Sequence, residues 1–142
     1  SVVAVPYTEQ EKARALVDVR FATVEAGRRV GEKILSLTPV APGAGLSVTA
    51  GPARPPLEKT PANTALFDLA RGLAAELGLE LTGAEVGGGS DGSFTSALGV
   101  PTLDGLGPDG AGSHAPTEHV LISSLPERAA LLSRLIEALA GA

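Results

Sequence analysis

Few side chains in this chain can carry chemistry. It has two histidines, His114 and His119, and no cysteine. Both lie in the stretch GSHAPTEH, residues 112–119, with Glu118 beside the second. A neutral imidazole on a loop that glycines let approach an ion closely suits a metal ligand. The difficulty is its company, because a catalytic zinc takes three protein ligands and a two-metal site takes more. A full structural zinc site supplies roughly 10–16 kcal/mol, of which one imidazole provides only a fraction. His114 alone is therefore expected to hold zinc weakly. Glu118 and His119 follow closely in sequence, yet a loop containing proline does not force them to converge. The plainer reading of His114 is a loop histidine satisfied by water. His119 opens an apparent strand, HVLI, and reads as a packed or surface residue.

The second candidate is GGGSDG, residues 87–92. As G-x-G-x-x-G it would be a dinucleotide fingerprint. Asp91 then falls where a pyrophosphate should lie, and Gly99 and Pro101 cut the next helix short, so that reading is set aside. As G-x-S-x-G, from Gly88 to Gly92, it would be a nucleophile elbow with Ser90 attacking and Asp104 and His114 following in the order Ser, Asp, His. Only 24 residues separate Ser90 from His114, and no HGGG-type oxyanion segment lies upstream. Without either chemistry, the glycines simply turn the chain after a strand. A third candidate is Arg20, two residues after Asp18. It is either half of a surface ion pair worth under about 1 kcal/mol or a guanidinium clamp for a carboxylate.

These residues need a scaffold, and 142 residues are enough for one ordinary domain. The chain is 44% hydrophobic but only 3% aromatic, so its core must be built from Leu, Val, Ile and Ala. A net charge of −5 argues against nucleic acid, which needs a basic footprint. No apolar run reaches the roughly 18 residues that a bilayer requires, and the first residues lack the pattern of a signal peptide. The expectation is a cytoplasmic protein with no membrane contact.

Residues 13–21, ARALVDVRF, alternate and read as a strand. Thr23 then caps a helix carrying Val30, Ile34 and Leu37, and LSVTA at 46–50 reads as a second strand. Six of the eleven prolines fall between Pro39 and Pro61, which makes GPARPPLEKTP at 51–61 a linker. Thr60-Pro61 starts the next helix, with the stripe Leu66, Leu69, Leu73, Leu77 and a stop at Gly78. ELTGAEV and VPTLD read as strands and SFTSAL as a short helix. Residues 106–118 read as a functional loop. Ser124 and Glu127 form a capping box for a final helix whose expected buried face is Leu125, Leu132, Leu135 and Leu139. Alternating strands and helices make the class α/β. The unit over residues 13–50 is too small to cover both faces of a sheet and reads as half of a larger one.

Taken in order, ARALVDVRF, GGGSDGSFTSALGVPTLDGLGP, GAGSHAPTEHV and SLPERAALLSRLIEAL resemble the C-terminal half of a zinc metallopeptidase family. This is metallopeptidase family 20, which contains glutamate carboxypeptidase, acetylornithine deacetylase and succinyl-diaminopimelate desuccinylase. The likeness runs from about residue 13 over nearly the whole chain and rests on the ordered series; the glutamate-carboxypeptidase-like branch is nearest. It implies a catalytic α/β domain with two zinc ions bridged by a water, and an inserted ferredoxin-like lid that dimerises. Residues 1–52 would be the second half of that lid, and residues 53–142 the C-terminal part of the catalytic domain.

Carried over by position, His114 matches a zinc ligand and Arg20 a lid arginine that meets a substrate carboxylate. Gly88, Gly89 and Ser90 match the turn lining the substrate pocket, and Asp91 matches an acidic residue of that turn with a structural role. The resemblance implies hydrolysis of a peptide or N-acyl amide bond next to a carboxylate, with metal-activated water and a glutamate base. The family's remaining ligands and its base come from a His-x-Asp motif, a bridging aspartate, a Glu-Glu pair and a further acidic residue or histidine, all upstream. None occurs here. The chain alone is therefore expected to be inactive, and to associate as a homodimer or with an N-terminal half. The alternatives are a non-catalytic assembly module, whose unpaired strand edges would invite a partner, and a serine hydrolase using Ser90.

Overall fold

The computed structural model describes residues 12–141 together with the backbone of residues 2–5. The chain divides into two compact units, Ser1–Pro56 and Leu57–Ala142.

In the first unit, β1 (Val2–Val5) pairs antiparallel with β2 (Arg14–Val17) in the register Val2 to Val17 through Val5 to Arg14. Sequence reasoning overlooked β1 and drew β2 too long: the expected strand 13–21 ends at Val17, so Arg20 lies beyond it. Helix α1 (Val24–Leu35) starts as expected, with the Ala26 N–H donating to Thr23 Oγ1 at 3.1 Å. Its outer face carries Arg28 between Glu25 and Glu32; Glu25 first, then Glu32, raises the guanidinium pKa above its ordinary value. Phe21 lies over Gly27, where an added Cβ would stand 2.6 Å from the ring. Leu46–Ala50, expected as a second strand, forms no ladder among the described residues, and no described residue of this unit is fully buried.

The second unit rests on two helices, α2 (Pro61–Glu76) and α4 (Leu125–Ala140), packed on each other. Thr60 caps α2 by accepting the Asn63 N–H at 3.1 Å, and Pro61 needs no donor at the first helical position. At the other end Gly78 takes φ +73°, Leu79 N–H donates to Ala74 O at 2.9 Å, and Gly78 N–H to Ala75 O at 3.0 Å. This pair of bonds is a Schellman stop, which glycine adopts without a Cβ clash. The core is Ala70, Leu73 and Ala74 of α2 against Leu131 and Leu135 of α4, with Leu66, Leu79, Leu81, Leu103, Leu106 and Ala138 packed around it.

Of the expected buried face of α4 only Leu135 is buried. Leu131 is fully buried, whereas Leu132 is 38% exposed and Leu125 and Leu139 are exposed as well. Helix α4 is apolar over two adjacent stripes, 131–135–138 and 125–132–136–139, and leucine spacing alone does not tell which one α2 takes. The alanines of α2 settle it, because Ala70 and Ala74 leave room for Leu131 and Leu135 to interdigitate. On α2, likewise, Leu69 and Leu77 of the expected stripe are exposed.

Between these helices lie α3 (Gly92–Ala97) and a two-residue ribbon, β3 (Gly110–Ala111) antiparallel to β4 (His119–Val120). A 3₁₀ turn, Ile122–Ser124, leads into α4 and cuts the expected strand HVLI to two residues. ELTGAEV and VPTLD carry no ladder among the described residues. Their leucines, Leu81 and Leu103, still pack on the helix pair as a sheet face would. In VPTLD the Thr102 N–H donates to the Asn63 side chain at 2.8 Å, so that donor is not available to a neighbouring strand. Helix and strand are thus mixed, in outline as an α/β class requires.

Candidate functional site

The hairpin carrying His114 is tightly constrained by its glycines and its turn. Gly110 sits where the two ribbon strands touch: an added Cβ would collide with the backbone carbonyl of His119. Gly112 takes φ +75°, with a would-be Cβ 3.0 Å from Thr117 O. The Ala115 N–H then donates to Gly112 O at 2.8 Å, closing a four-residue turn with His114 at its third position. That position is left-handed. His114 has φ +64° and is the one non-glycine with positive φ among the described residues. An L residue there sits in a backbone well that costs about 1–2 kcal/mol.

The turn also fixes what surrounds the imidazole. Glu118 approaches His114 through the backbone, its Oε2 accepting the His114 N–H at 3.3 Å, while the Glu118 N–H donates to Ala115 O at 2.9 Å. His119 Nδ1 lies 2.9 Å from Thr117 O. The His114 ring is exposed and makes no hydrogen bond among the described residues. It is a bare imidazole held out at a loop tip. Among the described residues no three His, Cys, Asp or Glu side chains form a metal-binding group. The donor chemistry of the tip therefore fits one zinc ligand and not a complete set.

The base of the hairpin is anchored on α4. Ser124 is buried, and its hydroxyl donates to Leu121 O at 2.7 Å while accepting the Asp109 N–H at 2.9 Å. It makes no capping bond to α4, so the expected capping box is absent: the hydroxyl is engaged by the hairpin instead. The Leu121 N–H donates to Asp109 O at 2.7 Å, and Arg128 Nη2 donates to Asp109 Oδ1 at 2.6 Å.

The glycine turn is local in construction. Gly87 and Gly88 bend the chain, and Ser90 Oγ accepts the Gly92 N–H at 3.0 Å, which opens α3. Asp91 O accepts the Phe94 N–H at 3.2 Å, and its carboxylate does not cap the helix. Gly92 permits the close approach of Thr102, whose methyl would lie 2.9 Å from an added Cβ. Asp104 Oδ1 accepts the N–H of Gly105 at 2.8 Å. No hydrogen bond among the described residues joins Ser90, Asp104 and His114, so the structure does not assemble the elements of a serine triad. Arg20 lies in the first unit, paired with Asp18 at 3.1 Å with both side chains exposed.

Sequence reasoning missed Asn63. Its buried amide donates to Glu58 O at 2.9 Å and to Ser96 Oγ at 2.7 Å, and accepts the Thr102 N–H at 2.8 Å. One side chain thereby ties the start of α2 to α3 and to the segment after it. A signal was present: 63, 66, 70, 73 and 74 lie on one helical face, and an asparagine among leucines and alanines there must be hydrogen-bonded. The hydroxyl of Ser93, next on the buried side of α3, has no partner among the described residues.

A family model described as peptidase family M20/M25/M40 matches residues 4–138. Searches of curated proteins and of solved structures find no match. The matched span includes β2, the glycine turn, the strained hairpin with its unbonded imidazole and nearly all of α4, in the order in which the sequence pieces first suggested such a family. The chain belongs to peptidase family M20/M25/M40, a family of hydrolases of the peptidase and amidohydrolase type.

Proposed function

We propose that this chain is part of a zinc-dependent amidohydrolase, of the glutamate-carboxypeptidase kind, that cleaves a peptide or N-acyl amide bond next to a carboxylate. Members of the family are typically metal-dependent. The observation that carries the reading is the left-handed backbone at His114, which holds at a tip an imidazole that makes no hydrogen bond among the described residues. Strain at an exposed loop residue persists only where the surrounding structure over-determines it, and it clusters at sites of function. In this reading His114 is one zinc ligand, and the rest of the set lies on sequence outside these residues. A bound zinc would supply Lewis-acid polarisation of the amide carbonyl and a nucleophilic water. Gly88, Gly89 and Ser90 would line the substrate pocket with backbone N–H groups, Asp91 would start the helix behind them, and Arg20 would meet the substrate carboxylate. The first unit would be half of a ferredoxin-like lid and the second the C-terminal part of the catalytic domain. The protein would work in the cytoplasm.

Support for the missing part comes from the second unit's own surface. Val86, Leu98, Val100, Leu121 and Ile122 are exposed, and the segments carrying Leu81 and Leu103 have no ladder partners among the described residues. Association with an N-terminal half, or with a second copy, would cover such edges. A non-catalytic assembly module shares this feature but gives no reason for the strain at His114.

The test is hydrolysis of N-acyl amino acids. The pure chain is expected to be inactive. Joined to an upstream half that bears the His-x-Asp motif and the Glu-Glu pair, it should hydrolyse them in a chelator-sensitive way, and His114→Ala should abolish that activity. Activity that survives His114→Ala in the joined protein would refute the assignment.

A further inference from the structure

We infer that Asp109, held by Arg128 and Ser124, is the positioning residue that fixes the His114 hairpin to α4. The significance of that role rests on reading His114 as a ligand; the fixing itself rests on geometry alone. A hairpin with a two-residue ladder, Gly110–Ala111 against His119–Val120, is too short to hold its own register. Its tip nevertheless keeps a strained residue. Something outside the ladder must supply the constraint, and three bonds converge on the residue that precedes it. Asp109 gives its N–H to Ser124 Oγ at 2.9 Å, its carbonyl receives the Leu121 N–H at 2.7 Å, and its carboxylate receives Arg128 Nη2 at 2.6 Å.

Both ends of the hairpin are thus gripped by the same short piece of chain. Leu121 follows β4 directly, and its carbonyl also receives the Ser124 hydroxyl at 2.7 Å. Ser124 is buried at the mouth of α4, and Arg128 lies one turn further along with a side chain only 20% exposed. Most other ion pairs of the structure are i,i+3 or i,i+4 couples within one helix or pairs between well-exposed side chains. Arg128–Asp109 differs in joining a partly shielded arginine to a loop 19 residues away. Being anchored to a helix and not to another loop, the hairpin has a rigid reference for where the imidazole stands. A metal ligand requires such a reference, because a displacement of about 1 Å at the site costs much of the function.

The test is amide hydrogen exchange by NMR on the full 142-residue chain. It compares the parent with Arg128→Gln and Arg128→Lys, and takes Leu131 and Leu135 as reporters of the fold. Removing the charge-assisted bond should speed exchange at Leu121 about tenfold and leave Leu131 and Leu135 unchanged. Arg128→Lys should recover part of the protection. The amide-to-α-proton coupling of His114, which reports its left-handed φ, should move toward the coil average in Arg128→Gln and not in Arg128→Lys. Unchanged exchange at Leu121 would overturn the inference, as would equal acceleration at Leu121 and Leu131, which would make the pair an ordinary contributor to stability. If zinc binding in the joined protein proves independent of His114, the ligand reading fails while this exchange result stands on its own.

Discussion

Replacing His114 by glycine and by alanine should separate backbone strain from side-chain loss. The imidazole is exposed and makes no hydrogen bond among the described residues, so both substitutions remove the same small amount. They differ in the backbone. Alanine keeps the left-handed φ of +64° at a cost of about 1–2 kcal/mol. Glycine relieves that cost, offset by about 0.5–1 kcal/mol for its greater freedom in the unfolded chain. The glycine variant should therefore be more stable than the alanine variant by about 0.5–1 kcal/mol. Urea denaturation followed by circular dichroism would show this as a midpoint higher by about 0.5 M, for a slope of about 1–3 kcal/mol per molar. The sign is diagnostic, since at an ordinary helical position glycine is the worse residue by about 1 kcal/mol. An alanine variant as stable as the glycine one, or more so, would mean that His114 is unstrained and would remove the main reason for assigning it a function.

Asn63→Ala should destabilise the second unit by about 2–4 kcal/mol, because it strands the Thr102 N–H and the Ser96 hydroxyl together; a loss under about 0.5 kcal/mol in chemical denaturation would show that water replaces the amide. Leu131→Ala should cost about 2–5 kcal/mol through the cavity it leaves, whereas Leu132→Ala, at a position 38% exposed, should cost under about 1 kcal/mol. The reverse order in thermal melts would restore the expected face of α4 and refute the observed one.

Features fixed within a few residues were legible in the sequence. The caps at Thr23 and Thr60, the proline at the start of α2 and the glycine stop at Gly78 each follow from one local hydrogen bond or one dihedral angle. The glycine turn was legible for the same reason. Long-range choices were not. Two apolar stripes compete on α4, and only the small residues of α2 decide between them. The capping box failed because a partner 15 residues away, Asp109, engages the Ser124 hydroxyl. The expected strands at 80–86 and 100–104 have apolar side chains placed on the core but no ladder neighbours among the described residues, and a ladder cannot be read from one strand. His114 was singled out by its residue type and by a resemblance. Its left-handed backbone and its anchoring through Asp109 needed coordinates.

The central claim is that His114 is a single ligand of a zinc site completed by residues outside this chain. Calorimetric titration of zinc into the purified 142-residue chain, with His114→Ala as control, tests it directly. The account predicts binding weaker than about micromolar, far short of the roughly 10–16 kcal/mol of a complete site. Tight stoichiometric binding that disappears in His114→Ala would contradict it, because these residues would then complete a site by themselves.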